Sequence, residues 1–333
     1  QFDSELHPGG NRQLYIQESF RDQSVVRRGK SVMAVIKKSN GEWIFDIFNY
    51  IFLALVAFVC VAPMWHVLAA SLSNPLELMK NMGMLFWPVG KPTLEGYKIV
   101  HNNFNIWSGY RNTLIILVLG LSINLFMTTL GGYVLSRRNV LWNKFLTIII
   151  VFTMYFGGGL IPSYLLISKI LNMNNTFWAV TIPGAISTYN MIICRTAFRG
   201  IPDSLEESAR LDGANDLVIL YRIIIPLSKS MLAVITLWYA VGHWNAWFSA
   251  MLYLQKAKLH PLQLILRQIL ISNDLGSMGN QEAIMGGSED LVYMARQLVQ
   301  YCTIIVATIP ILVLYPFLQK YFVKGVMIGS LKG

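Results

Sequence analysis

The sequence predicts an all-α integral membrane protein with six transmembrane helices and both termini in the cytoplasm. Composition, six long apolar segments and the distribution of basic residues lead to this prediction. Hydrophobic residues make up 54% of the 333 residues and charged residues only 13%, whereas soluble domains have about 25% charged residues. The net charge of +10 comes from cations in alternate loops, so it indicates membrane topology and argues against a nucleic-acid partner.

Six segments are apolar enough to cross a bilayer as helices, which takes about 20 residues each. They are residues 48–70, 112–135, 142–167, 177–198, 232–254 and 298–317. The third is the least regular, because Gly157, Gly158, Gly159 and Pro162 interrupt it. Irregular backbone at membrane depth is tolerated only against protein or a water-filled cavity. This segment therefore either lines a pathway or ends in a re-entrant stretch.

The orientation follows from the basic residues, which favour the cytoplasmic side. With the N-terminus inside, 18 of the 27 Lys and Arg residues lie inside and nine lie outside. We therefore expect a transmembrane domain over residues 43–320, with a cytoplasmic loop at 199–229 and outer loops at 71–111 and 255–297. Residues 1–42 are expected to form a cytoplasmic extension, since no signal peptide is evident, and residues 321–333 a cytoplasmic tail.

Motifs for chemistry within the chain are absent from the sequence. It contains no Gly-Lys-Ser/Thr phosphate loop and no zinc motif, and no paired carboxylates lie within the apolar segments. Cys60, Cys194 and Cys302 lie in apolar segments and are expected to be small buried hydrophobes. We therefore expect no catalytic residue, metal or cofactor in this chain. A membrane-embedded glycan-modifying enzyme remains the alternative, although the five scattered His residues argue against it.

The cytoplasmic loop is unusually rich in helix signals. Ser204 and Glu207 have the spacing of a capping box, and Gly213 stands where a left-handed residue commonly ends a helix. Asn215 can cap a second run, 217–225, which is expected to stop at Pro226. A short helix that carries carboxylates suits docking into a basic cleft on a soluble partner.

The sequence of this loop resembles a known family. The motif elements are Glu207-Ser208-Ala209, Gly213 and Ile223-Ile224-Ile225-Pro226, and they resemble the EAA loop of ABC-importer permeases. The wider sequence 201–214 and the tail 321–333 are similar to carbohydrate permeases of the maltose-transporter type. The stretches 157–162 and 242–248 resemble the oligosaccharide and polysaccharide-fragment branch. The resemblance covers about residues 40–333.

The resemblance implies a type I ABC-importer permease fold in a bacterial cell membrane. It implies a sibling permease, two copies of a cytoplasmic ATPase that holds ATP and Mg²⁺, an extracellular solute-binding protein, a sugar substrate and surrounding lipid. Glu207 would pair with a basic residue of the ATPase. The implied ATPase-coupling residues are Ser204, Glu206, Glu207, Ala209, Asp212, Gly213, Ala214 and Pro226, and the implied ATPase-contacting tail residues are Lys324, Gly325 and Lys332.

A sugar pathway needs aromatic faces together with hydrogen-bonding groups. The fifth segment places Tyr239 and His243 four residues apart on one helix face, which Trp247 would continue. The candidate pathway residues are Tyr155, Asn190, Tyr239, His243, Trp244, Asn245 and Trp247. Packing between helices is the alternative role for each of them. The outer stretch 258–271 is expected to be an amphipathic helix, which either receives a binding protein or rests in the lipid interface.

Overall fold

The computed structural model describes residues 40–78, 80–81, 83–271, 296–313 and 316. Its chain divides into two units, Gln1–Val61 and Ala62–Gly333. Within the described residues every regular element is a helix and no strand occurs. The all-α prediction is therefore confirmed for this part of the chain.

The helices before the loop 199–229 begin with α1 (Asn40–Ser71), which crosses the boundary between the units. They continue with α2 (Pro75–Leu78), α3 (Glu95–Asn102), α4 (Phe104–Ser136), α5 (Asn143–Tyr155), α6 (Leu160–Leu165), a π-helical turn (Leu166–Ile170), α7 (Trp178–Thr181) and α8 (Thr188–Arg199).

The loop itself contains α9 (Asp203–Leu211), α10 (Asp216–Ile219), a second π-helical turn (Leu220–Ile224) and α11 (Ile225–Leu227). After it come α12 (Lys229–Trp244), α13 (Phe248–Tyr253), a 3₁₀ turn (Ala257–Leu259), α14 (Leu262–Ile271) and α15 (Arg296–Val313).

Three of the described helices, α1, α4 and α15, are each long and apolar enough to cross a membrane. The count rises to five if two bent pairs are each taken as one span. One pair is Asn143–Tyr155 with Leu160–Ile170, bent by 107°, and the other is Asp216–Leu227 with Lys229–Trp244, bent by 87°. The predicted interruption at Gly157–Gly159 is the first of these bends, and Gly159 there has φ of +84°.

Two of the predicted transmembrane segments are not continuous helices, so the prediction is wrong for them. Segment 177–198 forms α7 and α8, because Pro183 and Gly184 interrupt the chain between them. Segment 232–254 forms α12 and α13, which are separated after Trp244. Trp247 therefore lies outside α12 and does not continue the helix face of Tyr239 and His243.

Cys194 and Cys302 are buried, as predicted, whereas Cys60 is exposed. Cys60 lies in the part of α1 that precedes Ala62, and no residue of that part is buried.

Helix α4 is the central helix of the second unit, because glycines along it let other helices approach closely. An added Cβ would lie 2.6 Å from Ile265 at Gly109, 2.4 Å from His243 at Gly120 and 2.6 Å from Met191 at Gly131. These glycines recur every 11 residues, which is close to three helical turns, so they line one stripe. The stripe meets α14, α12 and α8 in turn.

Polar side chains of α4 bind the backbone where the other helices are interrupted. Asn124 donates to the carbonyls of Gly184 and Ala185 at 2.6 and 3.0 Å, between α7 and α8. Asn112 donates to the carbonyls of Lys258 and His260 at 2.8 and 3.0 Å. An unpaired backbone group in an apolar environment costs several kcal/mol, so these amides make the interrupted geometry stable.

We predict that Gly120→Ala destabilises the protein, because the added Cβ would clash with the His243 ring, which Asn124 holds at 2.6 Å. Overpacking of this kind costs about 1–3 kcal/mol. The purified assembly should unfold at a lower temperature in a thermal-shift measurement.

Gly242→Ala is the matched control, since nothing lies within 4 Å of a Cβ at this helical glycine. It should leave the midpoint of thermal unfolding unchanged or raise it slightly, because Ala stabilises a helix by about 1 kcal/mol relative to Gly. Equal midpoints for the two variants would contradict the close contact at Gly120.

Candidate functional site

The candidate site is the loop 199–229, and its first helix begins differently from the prediction. Helix α9 starts at Asp203, with Pro202 at the N-cap and no side-chain cap. The predicted capping box of Ser204 and Glu207 is therefore wrong. Proline fixes φ at a value that suits helix entry, and the carboxylates of Asp203 and Glu206 lie in the first turn, where they favour the helix dipole.

The turn after α9 is the one that Gly213 predicts. Gly213 has φ of +81°, and its N–H donates to the Arg210 carbonyl at 3.0 Å. The N–H of Ala214 donates to the Ala209 carbonyl at 2.9 Å. These two bonds form a Schellman motif, which satisfies carbonyls left open at the helix end. Nothing lies within 4 Å of a Cβ at Gly213, so the glycine is required by backbone conformation and not by space.

The second helix is capped as predicted, because Asn215 accepts a bond from the Val218 N–H at 2.9 Å. It does not stop at Pro226, which lies inside α11. The π-helical turn Leu220–Ile224 precedes this proline and shifts the hydrogen-bond register just where a proline would disrupt an α-helix. The 87° bend follows, between Leu227 and Lys229.

An ion pair and a buried apolar cluster fix the two short helices. Arg210 and Asp216 pair at 2.5 Å across the Gly213 turn, where both side chains are exposed. The apolar cluster joins the second helix to the transmembrane helices; its members include Tyr133, Phe198, Ile219, Leu220, Ile224 and Ile235. Ala209 and Ala214 pack against the same cluster, so the Schellman turn is anchored from the membrane side.

A second ion pair connects α9 to the end of α4. Glu206 is only 7% exposed, and its carboxylate pairs with the guanidinium of Arg137. Arg137 also donates to Ser136 Oγ at 2.9 Å and lies 4.8 Å over the Tyr133 ring. Burial lowers the pKa of Arg137 from its usual range, and the nearby Tyr133 opposes this shift. Arginine nevertheless stays charged in proteins, so Arg137 provides a positive charge to the buried Glu206 carboxylate.

Another face of α9 forms no ion pair with the described residues. Ser204, Glu207, Ser208 and Leu211 are exposed, and their spacing places them on one helix face. Leu211 is 90% exposed. We call these four residues the docking face; it combines one carboxylate, two hydroxyls and one large apolar side chain.

A cleft of about 230 Å³ lies beside α9 and has a mixed charge. We call it the inner cleft. Arginines 137, 138, 199 and 210 line it together with Asp203, Glu206 and Glu207. In the described ranges no group of three or more His, Cys, Asp and Glu residues could hold a metal ion. The charged lining of the inner cleft suits ionic contacts.

The remaining predicted coupling residues lie at the edges of this arrangement. Asp212 and Pro226 are exposed, and Ala209 and Ala214 are half-buried. The predicted tail residues Lys324, Gly325 and Lys332 lie outside the described residues, as does most of the 1–42 extension.

Several predicted pathway residues hold the helices together. Tyr239 is 8% exposed; its hydroxyl lies 2.8 Å from Thr128 Oγ1 and accepts from the Ser187 N–H at 3.0 Å. His243 binds Asn124. Trp244 and Asn190 are buried, whereas Tyr155, Asn245 and Trp247 are exposed. A pathway role stays a prediction for all seven residues.

Sequence reasoning missed Arg137 and Tyr133. A signal was present, because Glu206 falls on the same side of α9 as Ala209, and a carboxylate on a buried face requires a cation. The partner could not be chosen from sequence, since several arginines lie near this loop.

The comparisons with known proteins agree with this geometry. Residues 128–328 match the family described as binding-protein-dependent transport system inner membrane component. The chain is 39% identical over 293 residues to the polygalacturonan/rhamnogalacturonan transport system permease protein YtcP of Bacillus subtilis (strain 168), with 87% of this chain and 99% of that protein covered. It is 37% identical to protein LplC of the same organism over 87% of this chain and 95% of that protein.

A solved structure is similar over almost the same span. It is the crystal structure of a bacterial ABC transporter involved in the import of the acidic polysaccharide alginate, which matches with a TM-score of 0.77 and 31% identity. The match covers 86% of this chain and 99% of that chain. The alternative of a glycan-modifying enzyme finds no support among these relatives. The chain belongs to the binding-protein-dependent transport system inner membrane component family and is a permease subunit of an ABC importer.

Proposed function

We propose that this permease crosses the membrane six times, keeps both termini in the cytoplasm and admits oligosaccharides or polysaccharide fragments. Two relatives support the substrate class, since their names refer to polygalacturonan/rhamnogalacturonan and alginate. The excess of basic residues on one side supports the orientation. Six spans require that three interrupted pairs each cross the membrane as one broken helix, namely α5 with α6, α7 with α8 and α12 with α13.

The docking face of α9 is the surface through which this permease receives energy from the ATPase. Helix α9 inserts into a groove of a cytoplasmic ATPase, which holds ATP and Mg²⁺, and Glu207 pairs there with a basic residue. Glu206 is already occupied by Arg137, so Glu207 is the carboxylate free to leave this chain. Asp212 and the tail around Lys324–Gly333 extend the same contact. A sibling permease, a second ATPase copy and a solute-binding protein at the outer loops complete the assembly.

Motion of the ATPases is transmitted through fixed contacts. Movement of α9 pulls on α4 through Glu206 and Arg137. It pulls on the second helix through Arg210 and Asp216. That helix leads through the π-helical turn and the bend into α12. A rigid lever of this kind can rock the spans between outward-facing and inward-facing states.

The outer half of this permease favours an acidic sugar as its substrate. Arg267 of α14 lies 4.6 Å over the ring of Trp247, one of the exposed pathway candidates. In the described part of the chain no carboxylate pairs with Arg267. An indole with an unneutralised guanidinium suits a sugar ring that bears a carboxylate.

Replacing Glu207 by Ala should uncouple ATP hydrolysis from uptake, because the docking face loses its carboxylate while the fold keeps its contacts. Loss of a buried interfacial charge pair costs about 2–5 kcal/mol, so the ATPase should bind at least about tenfold more weakly. Uptake of an oligogalacturonide into proteoliposomes and ATPase activity measure the effect. Undiminished coupled uptake would refute the role of Glu207.

Gly213→Ala should impair coupling through the turn, because a left-handed alanine costs about 1–2 kcal/mol. Gly200→Ala is the matched control in the same loop, since Gly200 has φ of −80° and accepts a Cβ at ordinary distance from its neighbours. The ratio of sugar transported to ATP hydrolysed should fall only in the first variant. The same ratio in both would show that the turn is not part of the lever.

Removing either partner of the buried pair, by Arg137→Ala or Glu206→Ala, should lower stability by about 3–5 kcal/mol, since the remaining charge stays buried and unpaired. The double variant should lose less than the sum of the two. Thermal unfolding of the purified complex gives the double-mutant cycle, and additive losses would contradict the pairing.

Arg267→Gln should reduce uptake of an acidic oligosaccharide more than uptake of a neutral one of equal length. The reason is that the charge-assisted bond, about 1.5–3 kcal/mol, forms only with the carboxylate. Competition between oligogalacturonide and maltodextrin in proteoliposomes measures the change. A parallel loss for both sugars would assign Arg267 to packing.

A further inference from the structure

We propose that a basic cleft between the start of α5 and the end of α8 binds the headgroup of an anionic phospholipid in the cytoplasmic leaflet. The side of the membrane rests on the orientation given under the proposed function. The cleft has a volume of about 580 Å³. Its cations are Arg138, Lys144, Arg195 and Arg199; we call it the basic cleft.

The charge of the basic cleft is not neutralised by its own walls. No carboxylate is among its lining residues. In the described ranges the side chains of Arg138, Lys144 and Arg199 form neither an ion pair nor a hydrogen bond. Asp203, Glu206 and Glu207 are the acidic groups of the adjoining inner cleft, which shares Arg138 and Arg199. Of these, Glu206 is already paired with Arg137.

The walls of the cleft are ordered by hydrogen bonds to the end of α4. Arg195 Nε donates to the Leu135 carbonyl at 3.0 Å. Asn143 Nδ2 donates to the same carbonyl at 3.1 Å and to the Arg137 carbonyl at 2.6 Å. These bonds hold Arg195 and the start of α5 at a fixed separation, so one cation and the wall of the cleft are in place before an anion binds. Clustered guanidinium groups suit phosphate, because their N–H groups match its oxygens in pairs.

The apolar part of the cleft favours a lipid over an acidic protein surface. Ile148 lines it and is 58% exposed, and no residue of α5 is buried. Trp142 takes up a left-handed conformation, with φ of +64°, and contacts Phe145 edge-on at 5.8 Å. Tryptophan and basic residues at the end of an apolar helix are typical of the headgroup level. A lipid satisfies both parts of the cleft, with its phosphate on the cations and its chains along α5.

The test uses the assembled complex, purified with phosphatidylglycerol and phosphatidylcholine in equal amounts. Native mass spectrometry counts the lipids that each variant retains. Arg138→Gln with Lys144→Gln should bind phosphatidylglycerol about 30-fold more weakly, because each surface cation contributes about fivefold. The matched control is Arg222→Gln with Lys229→Gln, which removes the same charge from exposed positions outside the cleft; it should retain the lipid.

Three results would overturn the proposal. Equal lipid retention by both double variants would show that the overall positive charge of the protein, and not the basic cleft, attracts the anionic lipid. Displacement of phosphatidylglycerol by millimolar glycerol phosphate would assign the cleft to a free phosphate. Loss of the ATPase subunits with unchanged lipid retention would make the cleft a protein contact.

The orientation is tested separately from lipid binding. A cysteine placed at Lys144 in the complex should react with an impermeant maleimide only from the cytoplasmic side. Labelling from outside would overturn the proposed topology, and the leaflet assignment with it. A complex that transports sugar but shows no preference for phosphatidylglycerol would overturn the lipid site alone.

Discussion

The structure depends on one constraint, which is that a helix interrupted in a membrane must have its freed backbone groups bound by protein. Helix α4 meets this need. Its amides Asn112 and Asn124 bind carbonyls between other helices, and Thr113 accepts from the Leu262 N–H at 2.9 Å. The glycine stripe of α4 brings its neighbours close enough for these bonds. Without α4, neither the break after α7 nor the start of α14 would have its backbone groups satisfied.

The same helix also fixes the position of the loop 199–229. Its last residues lead directly to Arg137, which holds Glu206, and the carbonyl of Leu135 holds Arg195 and Asn143. Helix α9 and the basic cleft are therefore both positioned by the end of α4. A force on α9 reaches the packed interior through ionic and hydrogen-bonded contacts, which transmit motion better than a solvated loop.

The elements that the sequence predicted well are those that local chemistry determines. Gly213 and Asn215 have short-range roles, and both take the predicted conformations. Composition and apolar length likewise suffice for α1, α4 and α15. The predictions failed where tertiary contacts decide. Apolar length alone does not show that Asn124 stabilises a break at Gly184. Ser204 does not cap α9 as predicted, because the helix already starts after Pro202. Likewise, the burial of Glu206 depends on the position of Arg137, 69 residues earlier in the chain.

Two adjacent carboxylates in α9 have opposite environments, and helix geometry explains why. Consecutive residues are about 100° apart around a helix, so a helix that packs Ala209 and Glu206 inward must direct Glu207 away from the core. Glu206 is then held by Arg137 within the chain, and Glu207 is exposed. In the proposed coupling, this separation lets one short helix be fixed to the end of α4 and still present a charge to the ATPase. With only one of the two carboxylates, the helix would lack either the charge for docking or the ionic anchor.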